Sequence, residues 1–124
     1  MPRLYILSAF SLSMIPYRGW IHLFIKDLKV EEAKKIMDEA IIKGKQVVSA
    51  VGHPATAQML SDLLGRKIEA NRVQVELEDK DEAIIAQVMT RLPEGKVLTR
   101  DELQKLYDEG KIKLLYLQLS TTFW

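Results

Sequence analysis

The run Val47-Val48-Ser49-Ala50-Val51-Gly52-His53-Pro54-Ala55-Thr56 decides the fold class. Val47 to Val51 is apolar and reads as a strand. Gly52 permits a tight turn, and Pro54 suits a first helical position, where its missing N–H would be unsatisfied anyway. An amphipathic segment with Met59, Leu60, Leu63 and Leu64 then continues to Gly65. A strand that turns directly into a helix is the building unit of an α/β sheet. The same junction puts His53 at or beside a helix N-cap, near backbone N–H groups that lack helical partners and suit a phosphate. A histidine there can give or take a proton near neutral pH. A histidine at such a junction is also often only a cap or a hydrogen-bonding spacer, so position alone does not make it catalytic.

Outward from this junction, Leu4–Leu7 reads as a buried strand and Trp20–Ile25 as a second. Val30–Ile42 is a helix with Ala33, Ile36, Met37, Ala40 and Ile41 on one face. Val47–Val51 is the third strand and Pro54–Leu64 the second helix. Asn71–Glu78 alternates, with Val73, Val75 and Leu77 on one side, and predicts a half-buried strand. Ala83–Met89 predicts a strand returning antiparallel to it, although its composition also suits a helix. Thr99 and Glu102 form a capping signature for a helix ending near Gly110, and Ile112–Leu119 is the last strand. The expected fold is α/β: a mixed β-sheet flanked by helices on its faces, in one compact domain over residues 1–124. The terminal Phe123-Trp124 reads as core packing in preference to a partner contact.

The composition narrows the function. A formal net charge of +1 argues against a protein that coats duplex DNA through its phosphates, so no duplex DNA partner is expected. No apolar run is long enough to span a bilayer, and no signal peptide is read, so a cytoplasmic protein without a membrane partner is expected. There are no cysteines and only two histidines, His22 and His53, in unrelated contexts. Disulfides and thiolate chemistry are excluded, and neither a metal site nor a cofactor is expected.

Two polar clusters accompany His53. Ser8, Ser11 and Ser13 follow the first strand, and ligands of open α/β sheets bind beyond the carboxyl ends of strands. Ser11 and His53 both follow a strand end and can face one cleft, but on the residues alone loop capping is the preferred reading of the serines. Gln87 lies near the end of the Ala83–Met89 segment, followed by Arg91-Leu92-Pro93-Glu94-Gly95-Lys96. Arg91 has the planar fork that suits phosphate. Against that, Arg91 with Glu94 also reads as a surface ion pair of little energetic weight. Asn71-Arg72 adds a cation at a predicted strand start.

Four blocks taken together, Leu4 to Met14, Ser49 to Thr56, Asn71 to Val75, and Gln87 with Arg91 to Lys96, resemble the viral ring nucleases, the type III anti-CRISPR proteins of archaeal viruses and their relatives. The resemblance covers nearly the whole chain. It implies an α/β homodimer that binds cyclic tetra-adenylate across its two-fold axis. It also implies metal-independent cleavage of that ring to linear di-adenylate with a cyclic phosphate end, which removes a CRISPR second messenger. A viral member would act in the host cytoplasm. Residue by residue, His53 matches the family's catalytic histidine, with Arg91 and Glu94 in its polar cluster beside Gln87. Ser11 matches a serine near the scissile phosphate and Arg72 a ligand-binding arginine. Ser8, Ser13, Gly52 and Thr56 lie in the same blocks and complete the expected ligand contacts. Ser8 and Ser13 stand where the family has asparagines, and Pro54-Ala55 replaces a more polar pair. Glu94 has two readings. It orients the Arg91 guanidinium, or it accepts the 2′-hydroxyl proton; the first is favoured because a carboxylate beside an arginine is a poor base. A separate reading makes the chain a viral or mobile-element protein that binds a nucleotide or single-stranded nucleic acid without cleaving it.

Overall fold

The computed structural model describes residues 2–92, 95 and 97–121. Five strands form one mixed sheet: β1 (Leu4–Leu7), β2 (His22–Leu28), β3 (Val47–Ser49), β4 (Glu82–Val88) and β5 (Ile112–Ser120). Three helices accompany them: α1 (Val30–Ile42), α2 (Pro54–Leu64) and α3 (Arg100–Asp108). The spatial order is β2-β5-β4-β1-β3. β1 lies parallel to both β3 and β4, and β5 is antiparallel to β4 and to β2. The carboxyl ends of β1, β3 and β4 therefore open on the same rim of the sheet.

The helices do not flank both faces, as the sequence predicts. One apolar cluster joins Leu4, Ile6, Ile84 and Leu114 to Met37 of α1, Leu60 of α2 and Leu103 of α3. The other face carries Tyr5, Leu7, Ile85 and Leu117, and is covered by Ile15, Val75 and Leu77 from non-helical segments. The reason is the hand of the connections. The chain crosses from β1 to β2 over the helix-free face, returns to β3 through α1, adds α2 on the same helical side, and then crosses to β4 through 71–78 over the helix-free face. Opposite directions of travel use opposite faces, as a single crossover hand requires.

The last of these crossings is the stretch 71–78, which the sequence predicts as a strand paired with Ala83–Met89. That hairpin does not form. Both sides of β4 are occupied, by β1 and by β5. The stretch 71–78 lies outside the sheet, with Val75 and Leu77 buried and Leu77 N–H donating to Met14 O (2.7 Å). Its alternation is real, but it records which side chains are buried and not a ladder of hydrogen bonds.

The second strand also begins later than expected. Gly19 takes a positive φ of 109°, and pairing with β5 starts at His22 opposite Ser120 and runs to Leu28 opposite Leu114. Trp20 is left 88% exposed. β3 is shorter than predicted, with Val51 surviving only as an isolated bridge to Ala70. α1, α2 and the capping box of α3 stand where the sequence places them: Thr99 Oγ1 accepts from Glu102 N–H (3.2 Å), and Glu102 Oε1 from Thr99 N–H (3.1 Å). Asp81 is 1% exposed and holds the start of β1 to the turn before β4. It accepts from Arg3 N–H (2.8 Å), Arg3 Nη2 (3.1 Å) and Glu78 N–H (2.8 Å).

Candidate functional site

A cavity of about 340 Å³ opens at the carboxyl rim of the parallel strands, on the helix side. Ser8, at the end of β1, shares it with His53, Pro54 and Thr56 at the start of α2. The strands bring Ser8 there by parity, since Leu4 and Ile6 face the same side. The remaining walls are apolar: Met59 from α2, Ala86 and Val88 from β4, Ile112 from β5, and Leu98 and Leu103 at the start of α3. Arg100 clips α3 to α2, with Nε 2.7 Å and Nη2 2.6 Å from Asp62 Oδ2.

His53 is the N-cap of α2, in extended backbone conformation, and Pro54 is the first helical residue. The imidazole makes no capping bond and is exposed. The helix ladder begins with Ala57 N–H to His53 O (3.0 Å), so the amides of Ala55 and Thr56 precede it. They present partial positive charge beside the cavity that His53 and Thr56 line. A phosphate seated there would meet two amides, two hydroxyls and an imidazole that can donate to it.

The sheet divides Gln87 from this cavity. Gln87 has the parity of Ala83 and Ile85, so it faces the helix-free side, with Nε2 donating to Val88 O (3.3 Å). Ser11 and Ser13 belong to an exposed single-turn helix at Leu12–Met14, their Oγ atoms 3.0 Å apart. Neither lines the cavity, so it is Ser8 and not Ser11 that shares a cleft with His53. Arg72 lies on the turn before His53, with Nε donating to Gly52 O (3.1 Å). Arg91 is exposed just beyond β4. Glu94, with Pro93 and Lys96, lies outside the described residues, as do Phe123 and Trp124. The sequence reading missed the apolar walls. Their only signal was the helical spacing of Met59 and Leu103 and the unbroken apolar run of β4, which mark burial and not a cavity.

The sequence pattern of the STIV B116-like family matches residues 4–114. The chain belongs to that family. It is 33% identical over 112 residues to "Uncharacterized protein ORF116" of Acidianus filamentous virus 1, covering 90% of this chain and 91% of that protein. It is 38% identical over 104 residues to "Uncharacterized protein 26" of Sulfolobus islandicus filamentous virus, covering 83% of each. Its fold is similar to that of B116 of Sulfolobus turreted icosahedral virus, with a TM-score of 0.72, 30% identity, and 93% of this chain and 97% of that one covered. The family is one of archaeal virus proteins. The His53 junction, the cavity and the Arg72 turn all fall inside the matched span. Among the described residues, no helix is long and apolar enough to cross a membrane.

Proposed function

We propose that this chain is a ring nuclease, a phosphodiesterase that opens cyclic tetra-adenylate into linear di-adenylate ending in a 2′,3′-cyclic phosphate. The observation that carries the reading is His53 at the N-cap of α2, opening onto a cavity it shares with Ser8 and Thr56. The four-block resemblance to viral ring nucleases supplies the substrate.

The chemistry needs little beyond these groups. The ribose 2′-oxygen attacks the adjacent phosphorus, and the bond from phosphorus to the 5′-oxygen breaks. The 2′-hydroxyl proton passes to water as that bond forms, and His53 gives a proton to the departing 5′-oxygen. Amides at the start of α2 and the Arg91 guanidinium face the charge that gathers on the phosphoryl oxygens. The cavity walls hold the nucleotide so that the 2′-oxygen stays in line. A two-fold dimer presents the site twice, so a ring of four units is cut at opposite bonds into two dinucleotides. Such an activity would silence type III CRISPR signalling in the host cytoplasm.

The test is incubation with radiolabelled cyclic tetra-adenylate in EDTA. Accumulation of di-adenylate is the expected result. A ring that is retarded on a native gel but never cut overturns the enzyme reading and leaves a nucleotide-binding protein.

A further inference from the structure

The turn that presents His53 is held from a distance by Asn71 and Arg72. Asn71 N–H donates to Val51 O (2.7 Å), and its Nδ2 to Ser49 O (2.8 Å). Ser49 Oγ donates in turn to Glu69 O (2.6 Å). Arg72 takes the next carbonyl, that of Gly52, with Nε at 3.1 Å. Its Cγ lies 3.2 Å from where a Cβ on Gly52 would stand, so glycine at 52 is what lets the arginine stem lie against the chain.

The Gly52 carbonyl belongs to the same planar unit as the His53 amide. Fixing that oxygen fixes the plane on one side of the His53 Cα, and the bond from Ala57 N–H to His53 O (3.0 Å) holds the plane on the other; together they set the direction in which the His53 side chain leaves the backbone. The imidazole itself makes no capping bond. We infer that Arg72 is a positioning residue: by locking the Gly52–His53 peptide plane it sets where the imidazole points. The catalytic consequence rests on the ring-nuclease reading; the orientation does not. Lysine at 72 keeps the charge but lacks an N–H at the Nε position, so it serves a phosphate and cannot replace this bond.

Arg72→Lys and Gly52→Ala test the inference together, the first by removing the donor and the second by pushing the stem away. His22 and His53 are the only histidines, so the imidazole NMR spectrum has two sets of signals, and loss in His53→Gln assigns one. At one fixed pH and without ligand, the His53 signals are expected to move in both variants while those of His22 stay. Single-turnover cleavage of cyclic tetra-adenylate is expected to slow roughly tenfold to a hundredfold, the scale of a misplacement of about 1 Å. Ring affinity is expected to stay within about threefold of wild type. Unmoved His53 signals overturn the inference, whatever the rates do. Moved signals with an unchanged rate overturn the positioning role in catalysis, and weakened affinity at an unchanged rate makes Arg72 a phosphate contact instead. If wild-type protein does not cut the ring, the ring-nuclease reading fails, and the NMR comparison alone decides whether Arg72 orients His53.

Discussion

His53 was legible from its neighbours alone, because Gly52 before it and Pro54 after it mark a turn and a helix start. Arg72 was legible from its neighbours only as a cation, and the family resemblance added a ligand-binding role but not this contact. Its bond to Gly52 joins residues 20 apart, and no local pattern encodes a contact of that kind. The expected consequence at His53 is direct. His53→Ala should slow single-turnover cleavage by about 10²–10⁴-fold, the usual contribution of a general acid, while ring affinity measured by gel retardation holds. A rate within about threefold of wild type removes His53 from the chemistry. Arg91 and Glu94 separate in the same assay. Arg91→Ala should weaken binding and rate together, by roughly 1.5–3 kcal/mol for one charge-assisted contact. Glu94→Gln still accepts a hydrogen bond and should keep much of the activity if its task is to orient Arg91. A thousandfold loss at unchanged affinity would make Glu94 the base.

At the level of elements, long helices with capping signals were read where they stand, and the misreadings all concern strands. Helix periodicity is local, but a strand is defined by a partner that lies elsewhere in the chain. The alternation of 71–78 was therefore visible and its lack of a ladder was not. β4 looked ambiguous because it is buried on both faces from Ala83 to Ala86, which removes any period. The α3 cap can be tested by itself. Thr99→Ala removes one half of the capping box and should cost about 1 kcal/mol of stability in urea titrations. It should also loosen the Leu98–Leu103 wall of the cavity. β5 offers a pH test. Tyr116 is pushed above the ordinary tyrosine range, first by burial and then by its hydrogen bond to the Glu82 carboxylate. The folded protein therefore keeps the Tyr116 proton at a pH where the unfolded chain, near its ordinary value of about 10, gives it up. Stability from this group is complete below pH ~10 and falls as pH rises through that value. Tyr116→Phe should be roughly 1–2 kcal/mol less stable than wild type at pH 8, from the lost hydrogen bond. The gap should narrow at pH 10.5. A gap that stays constant between the two would show that Tyr116 titrates alike in both states.

At the level of the whole molecule, the α/β class was legible, whereas the one-sided placement of the helices was not, because it depends on the order in which strands neighbour one another. The site depends on that same order: the three parallel strands β1, β3 and β4 bring residues 8, 53 and 88 to one rim. One chain carries one His53, and two cuts in a ring of four require two. Size-exclusion chromatography with light scattering should therefore give twice the 14.2 kDa chain mass at the concentrations where cleavage is measured. A monomer still active at nanomolar concentration would refute the two-fold arrangement.

Among the described residues β2 pairs with β5 alone, and β5 is the last of the five strands in sequence. During synthesis β2 therefore leaves the ribosome long before any partner exists for it. The backbone groups of β2 that later pair with β5 travel unpaired through most of translation. The sheet cannot close in the order in which its strands are made, and the edge strand β2 is secured only by β5, the last of the five to be made. A message broken before Ile112 yields a chain that keeps His53 and every wall of the cavity contributed by α2 and β4, but leaves a sticky strand with nowhere to go. The pairing that secures β2 thus lies far in sequence from His53, although one strand order builds both the edge and the rim where His53 sits.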